Sequence, residues 1–298
     1  MIRAENVTKR YNDKVALDQV NLNIPKGSIY GLLGPNGAGK TSFIRIMNQI
    51  TAPDEGKVFF GDAPLETKHI AQIGYLPEER GLYKKMKVGE QVIYLARLKG
   101  LSSAEAKKRA TEWFKRLEMQ GWWEKKVEDL SKGMAQKVQF VTTVLHEPEL
   151  LIFDEPFTGF DPINTNLIKN EIKRLNENGA TIVFSTHRME SVEEICDHIG
   201  LINNGQVMIE GNLLDIRKQF MQGIYAFTTK QDREIPGGEL LSKGKTHTGF
   251  RATVKFDAYP KEALTALAQE GDLVEFEEVL PRVGDIFIDI VKHSSKKA

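Results

Sequence analysis

The stretch Gly34-Pro35-Asn36-Gly37-Ala38-Gly39-Lys40-Thr41 constrains the fold more than any other part of the chain. It fits the pattern G-x-x-x-x-G-K-[ST] without a mismatch. Before it, Ser28 to Leu33 reads as a short apolar strand; after it, Ser42 to Ile50 reads as an amphipathic helix. In a strand, glycine loop, helix unit, successive backbone N–H groups can turn inward because no Cβ blocks the approach. The helix start adds free amides and the positive end of its dipole. This loop is therefore expected to cradle the phosphates of a nucleoside triphosphate. Lys40 would reach the β- and γ-phosphates, the Thr41 hydroxyl would ligate Mg²⁺, and Ser42 would stand beside it. The bland alternative, a glycine-rich turn that merely precedes Lys-Thr, leaves the agreement of both flanks unexplained.

Composition narrows the setting. At 298 residues the chain has room for one large domain and a small one, or two modest ones. Apolar residues make up 41% and charged residues 28%, as in ordinary globular proteins. Lys and Arg total 41, and so do Asp and Glu, so no basic excess points to nucleic acid. One cysteine, Cys196, permits no internal disulfide and suits a reducing compartment. No window approaches the ~18–20 apolar residues needed to span a bilayer. The start Met1-Ile2-Arg3-Ala4-Glu5 lacks an apolar signal region. The expected location is the cytoplasm, with any membrane role exercised through a partner.

Periodicity divides the chain further. Ile2 to Thr8 and Val15 to Ile24 alternate like half-buried strands, Lys57 to Phe60 is a strand, and Ile70 to Leu76 is another. Helical spacing takes over at Val88 to Leu98, from Ser103 toward Met119, and at Lys132 to Leu145, with Trp122-Trp123 anchoring a turn. Strand and helix then alternate. Leu150 to Phe153 and Thr181 to Phe184 are apolar runs of the kind buried on both faces, with helices at Asn164 to Asn178 and Met189 to Cys196. Ile199 to Ile202 and Gln206 to Ile209 flank Asn203-Asn204-Gly205, a hairpin signal. This is the pattern of an α/β domain on a parallel sheet. After Gly223 the pattern restarts. Strands are expected at Tyr225 to Thr229, Ala252 to Phe256 and Leu273 to Val279, and helices at Lys261 to Gln269 and Val283 to Val291. Gly237-Gly238 and Ser242 to Lys245 read as loops, Ser294 to Ala298 as a frayed tail, and the whole as a small α+β unit of ferredoxin-like type.

Chemistry gathers at strand ends. Asp154 closes the apolar run Leu150 to Phe153, where a carboxylate can hold Mg²⁺ through its water shell. Glu155 follows, placed to polarise a water that attacks the γ-phosphate. Thr158-Gly159-Phe160-Asp161-Pro162 comes next. His187, in Ser185-Thr186-His187-Arg188, stands at the carboxyl end of a neighbouring strand, the edge where open α/β sheets bind ligands. Leu130-Ser131-Lys132-Gly133-Met134, taken alone, is a helix start with Ser131 as N-cap.

Taken together, these motifs resemble the nucleotide-binding subunit of ATP-binding-cassette (ABC) transporters, in order and spacing, over about residues 1 to 220. The resemblance implies an α/β P-loop NTPase cassette over residues 1–222, with a RecA-like core and antiparallel β and helical subdomains, the latter at about 83–148. A small accessory α+β domain would occupy residues 223–298. Tyr11 matches the aromatic that stacks on adenine, Gly34 to Thr41 the Walker A loop, Asp154 the Walker B aspartate and Glu155 the catalytic glutamate. Asp161 falls in the D-loop, and His187 matches the switch histidine that contacts the γ-phosphate. Leu130 to Met134 matches the signature, which in the family binds the γ-phosphate held by a second subunit. Ser131 and Gly133 would face that phosphate. Two chains, identical or similar, would pack head to tail around two ATP molecules.

Two departures are informative. The usual signature is Leu-Ser-Gly-Gly-Gln; here Lys132 and Met134 replace a Gly and the Gln. Lys132 either adds a charge near the γ-phosphate or is solvated. In Tyr75-Leu76-Pro77-Glu78-Glu79-Arg80, Glu78 takes the place of the Q-loop Gln, where a carboxylate can still ligate Mg²⁺ or its water. With Gly81-Leu82-Tyr83 and the small C-terminal domain, these features resemble ATPase subunits of bacterial exporters with an ABC-2 type permease, including sodium-efflux and drug- or peptide-resistance systems. The chain would then sit on the inner face of the membrane through its permease. Leu82 to Val92 would face the permease's cytoplasmic helices; Lys84-Lys85-Met86-Lys87 either helps there or is a solvated surface. An ABC importer ATPase is the main alternative. A soluble ABC ATPase lacks support from a second cassette or a coiled-coil insertion, and a GTPase lacks an Asn-Lys-x-Asp motif.

Overall fold

The strand that leads into the glycine loop has a parallel neighbour on each side, which fixes where the loop emerges. The computed structural model describes residues 1–79 and 81–295. In chain order come strands β1 (Ile2–Tyr11), β2 (Lys14–Ile24) and β3 (Ile29–Leu33), helix α1 (Lys40–Met47), and strands β4 (Glu55–Phe60), β5 (Ala63–Pro64) and β6 (Ile73–Leu76). Helices α2 (Val88–Leu98), α3 (Ser103–Arg116) and α4 (Lys132–Val144) follow. Then come β7 (Leu150–Asp154), α5 (Pro162–Glu177), β8 (Thr181–Ser185), α6 (Met189–Ile195), β9 (His198–Asn203), β10 (Gln206–Asn212) and α7 (Leu213–Gln219). The last stretch holds β11 (Ile224–Thr229), β12 (Glu239–Lys245), β13 (Phe250–Lys255), α8 (Lys261–Gln269), β14 (Leu273–Glu278) and α9 (Val283–Ser295). The chain divides into two compact units, the break falling after Leu213.

In the first unit the central sheet runs β10-β9-β3-β8-β7-β6. β9, β3, β8, β7 and β6 are parallel, and β10 is antiparallel to β9. β3, β7 and β8 are buried at every residue, which is why Leu150 to Phe153 and Ile182 to Phe184 run apolar without alternation. A second sheet, β2-β1-β4-β5, is antiparallel. The two sheets share one core, with Ile2, Val7, Leu17 and Ile24 from one packed with Tyr30, Leu32, Ile152 and Val183 from the other. Helix α1 adds Phe43, Ile44, Ile46 and Met47, all fully buried. Each such side chain contributes on the order of 1.5–3 kcal/mol relative to leaving it in water. The glycine loop is thus followed by a helix that the core holds firmly.

The helical part is tied at Trp123. The Gly89 amide donates to the Trp123 carbonyl at 2.9 Å, and a Cβ on Gly89 would lie 2.3 Å from the indole. Trp123 also meets Phe114 edge-on, with ring centres 5.2 Å apart. The turn expected at Trp122-Trp123 therefore pins the first turn of α2. Ser102, one residue before the expected start, caps α3 by accepting from the Glu105 amide at 3.2 Å.

Four expectations are corrected. Ile70 to Gln72 is not strand: Thr67–Gln72 forms a 3-10 helix. The His69 ring accepts from the Glu66 amide at 2.9 Å and closes a capping box that outweighs the apolar alternation. Ser242 to Lys245 is not a loop but part of β12, exposed at every residue and paired with β13. An exposed edge strand has no buried face and so leaves no period-2 signal. The second unit is not ferredoxin-like. Three strands precede its first helix after β11, and the antiparallel order is β12-β13-β11-β14, whereas the ferredoxin-like order needs a helix after the first strand. Its core gathers Tyr225, Phe227, Ala252 and Val254 of the sheet with Ala263 and Leu267 of α8. Ser294 and Ser295 are not frayed tail but the last residues of α9; Arg80, and Lys296 to Ala298 of the expected tail, lie outside the described residues. Among the described residues no helix is long and apolar enough to cross a membrane.

Candidate functional site

Four adjacent parallel strands, β3, β8, β7 and β6, end at one edge of the central sheet. The register aligns Leu32 with Ser185 and Ser185 with Asp154. The chain segments that leave these strands carry the glycine loop, Ser185 to His187, Asp154-Glu155 and Glu78. They enclose an open cleft of about 430 Å³. Its lining includes Tyr11, Asn36, Gly37, Ala38, Gly39, Lys40, Thr41, Ser42, Glu78, Asp154, Glu155 and His187. Twelve of the residues singled out from the sequence thus share one cavity.

The glycine loop is braced from outside. Gly34 has φ 149° and a Cβ there would lie 2.1 Å from the Ile202 carbonyl; Gly39 has φ 117° and a Cβ there would lie 2.5 Å from the Ala16 carbonyl. Both positions demand glycine for conformation and for space. The β9–β10 turn supplies another brace. Asn204 and Gly205 both have positive φ, 48° and 78°, the two-residue turn that suits a twisted hairpin. Gly205 donates its amide to the Ala38 carbonyl at 2.8 Å and accepts from the Asp18 amide at 2.9 Å. Lys40, the first residue of α1, donates through Nζ to the carbonyls of Gly34 at 2.7 Å and Pro35 at 3.0 Å. Burial lowers the Lys40 pKa, and the charges of Glu155, Asp154 and Glu78 oppose that shift. Gly34 and Pro35 therefore act on the cleft through Lys40.

The acidic side is arranged by β8. Asp154 is 5% exposed, and burial pushes its pKa up. The fully buried Ser185 hydroxyl donates to Asp154 Oδ1 and works in the opposite direction, holding the ionised form. Glu155 turns away from the strand with φ 49°, its amide bonded to the Ser185 carbonyl at 3.0 Å. Its Oε1 accepts from the His187 amide at 3.0 Å and lies 2.8 Å from His187 Nδ1. Its Oε2 accepts from Thr186 Oγ1 at 3.3 Å. Glu155 is thereby oriented by three groups of one short segment, while His187 stays 69% exposed. Tyr75, at the end of β6, has its pKa pushed up to about 12 by burial, with the charge of Asp154 adding.

Other residues gather elsewhere. Ser131 caps α4, accepting from the Met134 amide at 3.3 Å. Asp161 caps α5, accepting from the Asn164 amide at 2.8 Å and side-chain amide at 2.7 Å. Gly133 lies beside Gly159, and the Lys132 stem runs over Gly159, where a Cβ would meet it at 2.9 Å. Neither Ser131, Gly133 nor Asp161 lines the cleft. Lys14, Ala16, Thr158 and Ser185 do, although the sequence did not single them out. For Ser185 the only local signal was its place at the end of an apolar strand, two residues before His187.

Comparison with known proteins gives this geometry a setting. The family model described as ABC transporter matches residues 17–158. The uncharacterized ABC transporter ATP-binding protein YhaQ of Bacillus subtilis is 40% identical over 293 residues, covering 98% of this chain and 98% of that protein. The linearmycin resistance ATP-binding protein LnrL, also of Bacillus subtilis, is 36% identical, covering 72% of this chain and 70% of that protein. Among solved structures, the ATP-binding cassette MJ0796, a dimer in a post-hydrolysis state bound to ADP and Pi, has a TM-score of 0.66 at 28% identity. It covers 72% of this chain, and the match spans 99% of that one.

Proposed function

The chain belongs to the ABC transporter ATP-binding family, and from that premise we propose that it is the ATPase subunit of an exporter. Residues 1–222 form the cassette and residues 223–298 an accessory domain. The cassette binds ATP in the cleft, with Tyr11, 39% exposed, offering its ring to the base. Asn36 to Thr41 and Ser42 receive the phosphates, and Lys40 swings from its loop carbonyls to the β- and γ-oxygens. Two chains pack head to tail, so that Ser131 and Gly133 of one complete the phosphate site of the other, with Asp161 at the seam. That arrangement accounts for Ser131, Gly133 and Asp161 standing outside the cleft of their own chain. The dimeric MJ0796 cassette supports it. A separate permease of ABC-2 type carries the substrate and keeps this chain on the cytoplasmic face of the membrane; the similarity to a linearmycin resistance protein supports export.

The observation that carries the reading is Glu155. Its Oε1 is taken up by two bonds from His187, which leaves Oε2, with one 3.3 Å contact, to accept a hydrogen bond from water. Water held there attacks the γ-phosphorus in line, the bond to the β–γ bridging oxygen breaks, and Glu155 draws the proton. The residues also fit a metal ion. Thr41, Asp154 and Glu78 line one cleft and present hard oxygen donors of the kind Mg²⁺ takes alongside phosphates and water. When bound, Mg²⁺ supplies charge neutralisation at the β- and γ-phosphates.

Glu155→Gln tests the assignment. The amide keeps the shape but cannot take a proton. Turnover should fall about 10²–10⁴-fold, nucleotide binding should persist, and dimers should accumulate with ATP on size exclusion. A variant that hydrolyses ATP at the wild-type rate overturns the role of Glu155.

A further inference from the structure

One buried polar side chain near the cleft has no account in the mechanism above. Gln139 of α4 is 4% exposed. Its Nε2 donates to the Pro77 carbonyl at 3.1 Å, but its Oε1 has no partner among the described residues. Its single side-chain bond is made to the segment that leads into the cleft. Pro77 is the residue immediately before Glu78, which lines the cleft with Lys40 and Asp154.

The same helix grips the strand end just upstream. Thr143 Oγ1 reaches the Tyr75 carbonyl at 3.4 Å and bonds the Gln139 carbonyl at 2.9 Å. The backbone from Tyr75 to Pro77 is thus held by one face of α4, and Glu78 projects from the end of that held segment. Helix α4 starts at Ser131, whose hydroxyl caps it. We propose that Gln139 is a positioning residue for Glu78: it ties the Glu78 carboxylate in one cleft to the helix whose first turn carries Ser131 and Gly133. This rests on Glu78 acting as an oxygen donor toward the metal and the γ-phosphate. A displacement of α4, as Ser131 engages phosphate on a second chain, is then transmitted to Glu78 through one amide.

A double-mutant cycle on the full chain tests this. ATP turnover is measured against Mg²⁺ concentration for the wild type, Gln139→Met, Glu78→Ala and the double variant, with nucleotide affinity and melting temperature alongside. Gln139→Met should keep its nucleotide affinity and raise the half-saturating Mg²⁺ about tenfold, the scale of one lost hydrogen bond. In the Glu78→Ala background the same substitution should change turnover and Mg²⁺ dependence by less than about twofold, because the group it positions is gone. If Glu78→Ala alone leaves both at wild-type levels, the role of Glu78 falls and that of Gln139 with it. If Glu78→Ala impairs turnover, but Gln139→Met impairs it by the same factor in both backgrounds, Glu78 keeps its role and the positioning role is overturned. Gln139→Leu, which also removes the amide, carries the same expectation and stands in if the Met variant does not fold.

Discussion

Ser185→Ala isolates one atom of the site. The residue is fully buried on β8, in register with Asp154 on β7 and Leu32 on β3. Its hydroxyl donates to Asp154 Oδ1, while its carbonyl, which holds the Glu155 amide at 3.0 Å, is untouched by the change. Only an oxygen is removed, so packing hardly changes. What is lost is a buried hydrogen bond to a carboxylate, about 1.5–3 kcal/mol, or roughly 10- to 150-fold at 1.36 kcal/mol per decade. The loss falls on the ionised form of Asp154, because Ser185 opposes the upward push that burial exerts on its pKa. Half-saturating Mg²⁺ for ATP turnover should therefore rise within that range. The deficit should also widen as pH falls, because the Asp154 carboxyl protonates at a higher pH than in the wild type. The assay is ATPase rate against free Mg²⁺ at several pH values, with melting curves to confirm the fold. A variant with wild-type Mg²⁺ dependence and an unshifted acid limb would refute the view that Ser185 holds Asp154 ionised.

Two further outcomes follow from the same geometry. Asp154→Asn should abolish Mg²⁺-dependent turnover yet raise the melting temperature of the nucleotide-free protein near neutral pH. The sign comes from burial, which raises the Asp154 pKa in the folded state. That linkage stabilises the fold below the unfolded-state pKa and is lost as pH rises through the folded one, so the advantage of Asn should vanish on acidification. Differential scanning fluorimetry across pH checks it, and a lower melting temperature at neutral pH for Asp154→Asn contradicts it. Gly39→Ala should lose nucleotide binding in an equilibrium titration and cost several kcal/mol in denaturant unfolding. Its Cβ would lie 2.5 Å from the Ala16 carbonyl, at φ 117°.

The sequence was most legible where the cleft is lined by short runs. The glycine loop, the acids at the end of β7 and His187 are each set by a few consecutive residues, and the parallel sheet gathers them because β3, β7 and β8 are buried at every residue and carry apolar runs. What escaped was set across space. Ser185 acquires its role from register with a strand some thirty residues away, and Gln139 from a carbonyl 62 residues distant. Nothing in the local pattern marks Gln139, and only its place at the end of an apolar run, two residues before His187, marks Ser185. β12 escaped for a different reason: without a buried face, its Lys, Ser and Gly residues read as a loop. At Thr67–Gln72 the pattern misled, because a local capping box outweighed alternation.

The turn between β9 and β10 has a practical consequence for handling this protein. A two-residue surface turn is the usual place to insert an epitope tag or a fluorescent reporter, since such sites tolerate insertions. Here Gly205 uses both its amide and its carbonyl, one on Ala38 and one on Asp18. An insertion at Asn204-Gly205 would pull a prop from beneath the phosphate loop, so a tagged chain could fold, elute normally and still be dead. Engineering is better directed to other surfaces, and an environment-sensitive dye at this turn would be a sensor of the loop rather than a neutral label.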